Sequence, residues 1–413
     1  MSVDRIEIEK EGTGITAECM NQRIILCSNT LWSVVQFRSG VIRALTDQGF
    51  DVVCVGEAND FSGLTEKRVE DAGGRFIHLS MDRKGTNPLS DLVYLFRYLK
   101  ILRDEKPALV INYTIKPVIY GSVATRLLRI PSFAVITGLG YIFTRENLLT
   151  HLTRKLYRFS LRFPHRVWFL NDDDREAFVK SRIIAPERAA LLPGEGIDTH
   201  FYQPIPDQFP GADHAAFNKD GFVFLLVGRL LREKGIREYA EAARLVKAEG
   251  HQQVRFRLVG FVDQANPGAI SPEELHHWIE EGIIDYGGST EDIRSEIAGS
   301  HCVVLPSYRE GVPRTLLEGA AMGKPIIATD VPGCREVVDN GVNGFLCQPR
   351  NSMDLCEKML RMIKLTPEER EKMGQAGREK VLREFDEKII TTIYLAEIGK
   401  VLRNNEGDTE KNH

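Results

Sequence analysis

The segment from Cys302 to Gly323 restricts the fold more than any other part of the sequence, because it predicts a strand, a turn and a helix in direct succession. Residues 302–305 are an apolar run typical of a buried strand, and the run ends at Pro306. Pro313 stands where a helix begins, since its fixed φ suits the first helical turn and its missing N–H is not needed there. Apolar residues then recur at helical spacing until Gly323. A buried strand that leads through a turn into a helix is typical of α/β domains.

The turn and the helix start carry groups that suit a ligand with both phosphate and hydroxyl groups. The amides of Arg314, Thr315 and Leu316, together with the positive end of the helix dipole, predict a phosphate site. Glu310 lies in the turn and Glu318 in the second helical turn, and carboxylates accept hydrogen bonds from hydroxyls well. A nucleotide sugar carries both kinds of group. The alternative is that Glu310 is a loop charge and Glu318 a solvated helix residue, because glutamates are mostly exposed.

The length of the chain and its alternation of strands and helices predict two domains. A chain of 413 residues exceeds what one hydrophobic core normally serves. The alternation indicates doubly wound parallel sheets, with ligands beyond the carboxyl ends of the strands. A weakly periodic stretch rich in proline and glycine, from Pro193 to Asp220, separates two such regions. We expect a disordered extension over residues 1–20, a first domain over 21–203 completed by a helix over 388–403, a second domain over 204–387, and a disordered tail over 404–413.

Polar residues follow several predicted strands of the first domain and indicate a pocket at one edge of its sheet. Because the carboxyl ends of parallel strands meet at the same edge, these side chains are expected to lie close together. Any one of them alone is also explained by ordinary turn chemistry. The candidates are Asn29 and Trp32 after the first strand, Arg83 after the third, Tyr113, Thr114 and Lys116 after the fourth, and Gly138 and Tyr141 after the fifth.

The first strand of the second domain, over residues 222–227, ends at a loop that carries two cations, Arg229 and Lys234. Two cations in front of a phosphate-binding helix would neutralise a diphosphate, whereas each one alone could be a surface charge. The ligand-binding candidates of this domain are Gly228, Gly260, Gly311, Val312, Pro313, Arg314, Thr315, Leu316 and Glu318, and the catalytic candidates are Glu310, Arg229 and Lys234.

Residues 145–166 show the clearest helical periodicity of the chain. Apolar residues from Leu149 to Phe163 recur on one face, and basic residues occupy the opposite face. Such a helix can lie at an anionic lipid surface, with its apolar face inserted and its charges attracted. Alternatively, the apolar face packs on the domain and the basic face is solvated. The basic residues are Arg154, Lys155, Arg158 and Arg162.

Charge and cysteine usage limit the partners and the compartment. The formal net charge of -4 argues against general nucleic-acid binding, although residues 21–170 carry +9 and the remainder -13. The seven cysteines form no C-x-x-C pair, which favours a reducing cytoplasm. No apolar stretch approaches the length that spans a bilayer, so we expect a cytoplasmic or peripheral protein. The acidic run Asn171–Asp174 is expected to cap a helix, and no metal site is expected.

Several groups of residues resemble glycosyltransferase family 4, whose members are retaining, nucleotide-sugar-dependent enzymes of the GT-B fold. They are the paired Glu310 and Glu318, the upstream segment 227–235, and the downstream segments 330–336 and 340–344. The resemblance extends over residues 21–403. It implies a GT-B fold, with two doubly wound Rossmann-like α/β domains facing a cleft.

The resemblance also implies roles for individual residues. Glu318 would bind the ribose hydroxyls of the donor, and Glu310 the hydroxyls of the transferred sugar. Arg229 and Lys234 would hold the diphosphate. The leaving phosphate would take the proton of the acceptor hydroxyl, so neither a cofactor nor a metal is implied.

The segment Thr114–Pro117 is similar to that of bacterial transferases that extend undecaprenyl-diphosphate-linked oligosaccharides with N-acetylgalactosamine or a similar sugar. That similarity implies a UDP-sugar donor and a lipid-linked saccharide acceptor as partners. With the amphipathic segment 145–166 we also expect an anionic membrane surface as a partner, and a peripheral position on the inner face of the cytoplasmic membrane.

Two loops of the first domain depart from the family. Ser28–Thr30 stand where many members have adjacent glycines, and Tyr113 stands where many have a histidine. Two other functions therefore stay open. One is a nucleotide-sugar epimerase or hydrolase of similar architecture, and the other is a non-catalytic partner that binds a sugar nucleotide. Turnover that depends on an acceptor distinguishes the three.

Overall fold

A computed structural model describes residues 21–58, 62–81, 87–139, 148–205, 221–263 and 266–410. The chain divides into two compact units. The first unit holds the residues up to Gly196 and those from Glu387 onward, and the second unit is Ile197–Asp386. The extension expected over residues 1–20 lies outside the described residues.

The boundary between the units falls at Gly196 rather than at residue 203. The reason is that the residues directly after Gly196 form hydrogen bonds with the last residues of the second unit, Phe385 and Asp386. The Ile197 N–H donates to the carbonyl of Phe385 at 2.9 Å, and Thr199 Oγ1 donates to the carboxylate of Asp386. The proline- and glycine-rich composition of this stretch did not reveal where those contacts begin.

The first unit is an alternation of strands and helices. Its elements are β1 (Arg23–Thr30), α1 (Leu31–Asp47), β2 (Asp51–Glu57), α2 (Ser62–Asp71), β3 (Arg75–His78), α3 (Pro88–Glu105), β4 (Leu109–Tyr113), a π-helix (Pro117–Gly121), α4 (Ser122–Leu128), β5 (Ser132–Ile136), α5 (Leu148–Ser160), β6 (Arg166–Phe169), α6 (Asp172–Lys180), a 3₁₀ turn (Pro186–Arg188) and β7 (Ala189–Leu191).

Seven parallel strands, counted over the described residues, form the sheet of the first unit in the order β3–β2–β1–β4–β5–β6–β7. They are mostly buried apolar runs, as expected for a parallel sheet with both faces covered. β1 pairs with β2 on one side and with β4 on the other. The winding direction therefore reverses between β1 and β4, and ligands of such sheets bind at the carboxyl ends of the strands that flank the reversal.

The second unit repeats this plan. Its elements, with the helix that returns the chain to the first unit, are β8 (Val223–Val227), a 3₁₀ turn (Arg232–Lys234), α7 (Ile236–Ala248), β9 (Arg255–Val259), α8 (Pro272–Glu280), β10 (Asp285–Tyr286), α9 (Arg294–Gly299), β11 (Cys302–Leu305), α10 (Arg314–Ala321), β12 (Ile326–Thr329), α11 (Cys334–Val337), β13 (Gly344–Cys347), α12 (Ser352–Lys364), α13 (Pro367–Glu384) and α14 (Glu387–Glu410).

Six parallel strands, within the described part of this unit, form its sheet in the order β10–β9–β8–β11–β12–β13. Here the winding reverses between β8 and β11, which are hydrogen-bonded neighbours. The prediction of two doubly wound parallel sheets is confirmed. The second switch point lies at the carboxyl ends of β8 and β11, directly before the segments that carry the candidate cations and glutamates.

Side-chain caps explain where several helices begin. The hydroxyl of Thr30 accepts the Ser33 N–H at 3.1 Å at the start of α1. The amide oxygen of Asn171 accepts the Asp174 N–H at 2.8 Å at the start of α6, so the predicted capping role of this acidic run is confirmed.

The last helix, α14, extends beyond the expected range of 388–403. Residues 404–410 are helical, so the expectation of a disordered tail from residue 404 is wrong over these residues. Polar residues alone do not end a helix whose preceding turns are already formed. Those turns are fixed by packing within the first unit, where the ring centroids of Tyr394 and Trp168 lie 4.8 Å apart.

A buried ion pair joins α1 to Glu195, which lies directly before the boundary at Gly196. Arg38 is 2% exposed and lies where the backbone of α1 departs from helical geometry. Its guanidinium donates to the Glu195 carboxylate and, at 2.7 Å, to the Ser33 carbonyl, and its Cζ lies 4.1 Å from the ring centroid of Tyr113. Removal of one partner would take a charge-assisted bond from the other in a buried site.

Replacing Arg38 with alanine is expected to lower the free energy of unfolding by about 3–5 kcal/mol, because Glu195 loses the guanidinium that donates to it in a buried site. Arg43→Ala in the same helix is the matched control. Arg43 is 46% exposed and lies 3.4 Å from Glu387, so its loss should change the free energy by less than about 1 kcal/mol. Urea denaturation measures both values, and equal losses in the two variants would contradict this account of Arg38.

Candidate functional site

The loops that follow β8 and β11 meet at the switch point of the second sheet. The 3₁₀ turn Arg232–Lys234 belongs to the loop after β8, and the loop after β11 leads into α10. Pro313 directly precedes the first residue of α10, as the sequence predicted. Thr315 Oγ1 donates to the carbonyl of Val227, the last residue of β8, at 3.3 Å. Candidate residues from two distant segments are therefore held at one edge of the sheet.

An ion pair between Lys234 and Glu310 lies at this edge. Lys234 Nζ donates to Glu310 Oε1 at 2.5 Å, and the two side chains are only 21% and 13% exposed. Glu310 is thus not a solvated loop charge. Gly333 supports its loop from the other side: φ is +82°, and a Cβ atom there would lie 2.2 Å from the carbonyl oxygen of Gly311. The structure places one cation and one carboxylate side by side, partly shielded from water, where charges interact more strongly.

A second ion pair lies on α10. Arg314 Nε donates to Glu318 Oε1 at 2.8 Å, one helical turn away, and Glu318 is buried. The alternative that Glu318 is a solvated helix residue is therefore wrong. Burial raises the pKa of Glu318, while the Arg314 guanidinium and the Tyr202 hydroxyl act against that rise. No sequence pattern indicates Tyr202 as a partner of Glu318, because Tyr202 lies in a stretch without periodicity, far from α10 in the chain.

The start of α10 differs in one respect from the prediction. The Leu316 N–H donates to the carbonyl of Pro313 at 3.1 Å, so it is not a spare donor for a phosphate. Bonds of this 3₁₀ type commonly satisfy the first amides of a helix, and the sequence pattern does not reveal them. The helix dipole at this end is unaffected by the bond, so the start of α10 still favours an anion.

The remaining candidates of the second unit lie at the same edge of the sheet. The N–H of Gly228 donates to Val259, and the N–H of Gly260 donates to Gly288 at 2.7 Å, so both glycines connect neighbouring strand ends. Val312 is buried. Arg229 is exposed, and its Nη1 lies 3.9 Å from Asp263 Oδ2. Its long side chain can therefore leave this weak contact for a ligand at little cost.

A cavity of about 240 Å³ lies at the carboxyl ends of β1, β4 and β5 in the first unit. It brings together four of the predicted pocket residues, Asn29, Thr114, Lys116 and Gly138. The Asn29 N–H donates to Thr114 Oγ1 at 3.2 Å, which joins the ends of β1 and β4 directly. The other lining residues are Met81, Ile115, Ile136, Thr137 and Tyr157.

Two predicted pocket residues do not line this cavity. Tyr113 is fully buried and its hydroxyl donates to the hydroxyl of Tyr394 at 3.1 Å, because the last residue of β4 turns toward α14. The ring of Trp32 packs edge-on against Phe37, with centroids 5.8 Å apart. Because Tyr113 is fully buried, its prediction as a pocket residue is wrong for this cavity, whereas the acceptor role of Trp32 stays a prediction. Arg83 and Tyr141 lie outside the described residues.

Lys116 is held by a carboxylate that the sequence analysis did not single out. Its Nζ donates to Asp91 Oδ1 at 2.5 Å, and the Tyr120 hydroxyl donates to Asp91 Oδ2 at 2.7 Å. An aspartate in the first turn of α3 is sufficiently explained by its attraction to the helix dipole, so no sequence pattern connects it with the pocket. The cavity therefore has a cation that is already oriented by its own counter-ion.

The faces of α5 differ from the ordinary arrangement of an amphipathic helix. Its buried side carries Thr150, Thr153, Tyr157 and Ser160, whereas Leu152 and Phe159 of the predicted apolar face are 51% and 52% exposed. Among the predicted basic residues, Lys155, Arg158 and Arg162 are exposed and Arg154 is half-buried. The alternative that the apolar face simply packs on the domain is wrong for Leu152 and Phe159.

A second exposed apolar surface, absent from the sequence analysis, lies on α3. Phe96 is 62% exposed, and three apolar residues that precede it on the helix, Leu89, Leu92 and Val93, are exposed as well. Exposed basic residues follow it toward the end of the helix, at Arg97, Lys100 and Arg103. Both α3 and α5 pack against the π-helix.

Within the described ranges, no helix has both the length and the apolar character needed to cross a bilayer. Over the same residues, no group of three or more His, Cys, Asp or Glu side chains is arranged to hold a metal ion.

Family models match both halves of the chain. The model described as "Glycosyl transferase 4-like" matches residues 23–171, and the model described as "Glycosyl transferases group 1" matches residues 212–380. The two matches cover the sheet of the first unit nearly completely and the whole sheet of the second unit.

Named relatives share both halves as well. The chain is 27% identical to the N,N'-diacetylbacillosaminyl-diphospho-undecaprenol alpha-1,3-N-acetylgalactosaminyltransferase of Campylobacter jejuni, over 92% of this chain and 100% of the relative. It is 25% identical to the UDP-Gal:alpha-D-GlcNAc-diphosphoundecaprenol alpha-1,3-galactosyltransferase of Escherichia coli, over 63% of this chain and 67% of the relative.

Solved structures share the fold at lower identity. Anabaena Alr3699/HepE, crystallised in complex with UDP and glucose, gives a TM-score of 0.76 at 19% identity, over 92% of this chain and 100% of that one. A glycosyltransferase from Rickettsia africae also gives a TM-score of 0.76 at 19% identity, over 93% of this chain and 99% of that one.

Proposed function

We propose that this chain, which belongs to the glycosyltransferases of the GT-B fold, transfers a sugar from a UDP-sugar to a lipid-linked saccharide. Its first unit matches the glycosyl transferase 4-like family, and its second unit matches glycosyl transferases group 1. The sugar is a hexose or an N-acetylhexosamine, and its configuration is retained. The observation that carries the proposal is the Lys234–Glu310 ion pair at the switch point beside α10. The names of two relatives support the lipid-linked acceptor, and the UDP complex of a fold neighbour supports the donor.

In this proposal the second unit holds the donor. Arg229 and Lys234 neutralise the diphosphate, and the start of α10 adds the favourable end of the helix dipole. Glu318 accepts hydrogen bonds from the ribose hydroxyls, and its bond from Arg314 fixes the direction of the carboxylate. Glu310 accepts hydrogen bonds from hydroxyls of the transferred sugar. No metal ion is given a role, since cationic side chains supply the positive charge.

The transfer step follows from these positions. The bond between the anomeric carbon and the oxygen of the β-phosphate breaks, and its electron pair stays on the phosphate. The acceptor hydroxyl oxygen forms a new bond to the anomeric carbon on the same face, and its proton passes to the departing phosphate. No side chain has to act as the general base. Lys234 stabilises the negative charge that grows on the phosphate, which is the electrostatic term that usually contributes most to catalysis.

The first unit supplies the acceptor site. We assign it to the cavity lined by Asn29, Thr114, Lys116 and Gly138, because this cavity lies at the switch point of that sheet. Polar side chains there can meet sugar hydroxyls, and Lys116 adds a positive charge for the diphosphate of a lipid-linked acceptor.

Glu310→Ala tests the proposed role of the ion pair. We expect sugar transfer to fall at least about 100-fold, because the transferred sugar loses the group that orients its anomeric carbon. Binding of UDP, measured by calorimetry, should persist, because the positive charges of Arg229 and Lys234 and the start of α10 remain available to the diphosphate. Glu280→Ala is the matched control, since Glu280 is an exposed glutamate at the end of α8. Turnover by Glu310→Ala at the rate of this control would rule out the role.

We also propose that α3 and α5 bind an anionic membrane surface. Soluble proteins rarely leave several large apolar side chains of one helix in water, and here they stand beside exposed basic residues. Apolar side chains inserted among lipid headgroups and basic side chains at the phosphates are the two attractions that hold an interfacial helix. A peripheral position on the membrane that carries the lipid-linked acceptor follows from this proposal.

Replacing Lys155, Arg158 and Arg162 with glutamine tests the electrostatic part. Each basic residue near an anionic surface contributes about 1 kcal/mol, so binding to phosphatidylglycerol vesicles should weaken roughly 100-fold. The matched control replaces three basic residues of the second unit, Arg244, Lys372 and Arg383. Vesicle sedimentation measures both triple variants, and thermal melting verifies that they fold. Equal vesicle binding by the two variants would contradict the proposal.

A further inference from the structure

The loop between β11 and α10 carries Glu310 although it has no regular secondary structure. It consists of residues 306–313, and the hydroxyl of Thr329 donates to the carbonyl of Ser307 near its start. In catalysis a misplacement of about 1 Å can cost about 100-fold in rate. The contacts that hold this loop therefore matter for the reaction even where they lie away from the ligand.

Tyr308 connects this loop with the loop after β8 and with α7. Its N–H donates to the carbonyl of Glu233 at 2.8 Å, and its hydroxyl donates to Glu238 Oε1 at 2.7 Å. Glu233 directly precedes Lys234, and Tyr308 stands two residues before Glu310. The backbone bond of Tyr308 and the Lys234–Glu310 ion pair are thus two adjacent connections between the same two loops.

The same two loops also touch at Gly235. Its φ is +71°, and a Cβ atom there would lie 2.1 Å from the carbonyl oxygen of Pro306. This backbone contact limits how closely the loops approach each other, and the bonds of Tyr308 limit how far they separate. The position of the loop that carries Glu310 is therefore restricted from both sides.

The hydroxyl of Tyr308 is a persistent donor. Glu238, in the first turn of α7, is half-buried, and its Oε2 is buried and has no hydrogen-bond partner among the described residues. Its Oε1 accepts the bond from Tyr308, and bonds to a charged acceptor are stronger than those between neutral groups. Burial and the Glu238 carboxylate raise the pKa of Tyr308 to about 12, so the hydroxyl keeps its proton at neutral pH. Arg350 adds a cation–π contact, with its Cζ 4.6 Å from the ring centroid, so the ring is held as well as the hydroxyl.

We propose that Tyr308 is a positioning residue of the transfer reaction, which ties the loop of Glu310 to α7 and so directs the Glu310 carboxylate at the transferred sugar. The inference rests on the proposed function and adds a residue to the donor site of the second unit. Tyr308 acts through Glu310, since its own hydroxyl is already bound to Glu238. Without that bond the loop can tilt, and Glu310 meets the sugar less often in the productive direction. The diphosphate is still bound by Arg229, Lys234 and the start of α10.

Replacing Tyr308 with phenylalanine tests this role. The ring stays and only the hydroxyl is lost, so we expect the kcat of sugar transfer to fall about tenfold, as for the loss of one hydrogen bond to a charged group. The KM for the UDP-sugar should change less than about twofold, because the groups that bind the diphosphate are unchanged. A fall in kcat without a rise in KM indicates a lost contribution to the transition state rather than to binding.

Two variants of Glu238 test the partner of the hydroxyl. In Glu238→Gln the amide oxygen can still accept the bond from Tyr308, so kcat should stay within about twofold of the wild type, whereas Glu238→Ala should reproduce the fall seen in Tyr308→Phe. The matched control is Tyr239→Phe, since the buried hydroxyl of Tyr239 donates to the carbonyl of Phe224 at 3.0 Å in the core of the same unit. Its loss should lower the melting temperature and leave kcat unchanged.

A double-mutant cycle with Glu310→Ala separates positioning from a general effect on the fold. Because the group that Tyr308 directs is absent from this background, adding Tyr308→Phe should not lower the residual rate of Glu310→Ala any further. Equal losses of kcat from Tyr308→Phe in the wild type and in Glu310→Ala overturn the positioning role, because Tyr308 would then act independently of Glu310.

The other outcomes separate this inference from the proposed function. A wild-type kcat in Tyr308→Phe, or an equal fall of kcat in Tyr239→Phe, overturns the positioning role and leaves the transferase intact. A rise in the donor KM at unchanged kcat overturns it as well, because Tyr308 would then serve donor binding. A wild-type enzyme without any acceptor-dependent transfer contradicts the proposed function itself.

Discussion

The ion pair between Lys234 and Glu310 is the interaction on which the site of the second unit depends. The order of the sheet makes β8 and β11 neighbours, and the pair connects the loops that follow these two strands. Neither charge is well solvated, so each side chain is held in place by the other. Lys234 has three N–H donors and uses one of them for Glu310, so it can bind a phosphate oxygen without releasing the carboxylate. Binding of the diphosphate would then place Glu310 beside the sugar that the diphosphate carries.

Much of this arrangement was readable from the sequence, and the exceptions have physical causes. Pro313 and Asn171 marked helix starts correctly because proline geometry and capping are local effects. The hydrogen bond of the Leu316 amide and the inward turn of Tyr113 were missed, because both depend on details of one turn and on which face of a buried strand a side chain occupies. Asp91 and Tyr202 were missed because their partners are distant in the chain.

The helices α3 and α5 show why periodicity alone is insufficient for surfaces. An apolar stripe ordinarily predicts the buried face of a helix. In α5 the buried face is instead built around Tyr157, which packs edge-on against Phe178 and lines the cavity, and this leaves Leu152 and Phe159 in water. In α3 apolar residues occur all around the helix, so the pattern did not predict which face is exposed. One helix, α5, thus lines the cavity proposed for the acceptor with its buried side and carries the proposed membrane contact on its exposed side.

In the proposed reaction the sugar leaves the nucleotide only when an acceptor receives it. Release of UDP from a panel of UDP-sugars, measured with and without an undecaprenyl-diphosphate-linked sugar, tests it most directly. We expect one UDP-sugar to raise the melting temperature of the protein and to release UDP only in the presence of the acceptor. Equal release without the acceptor would rule out the proposed transfer and indicate a hydrolase or an epimerase. Donor binding without release under either condition would contradict it as well and indicate a non-catalytic partner.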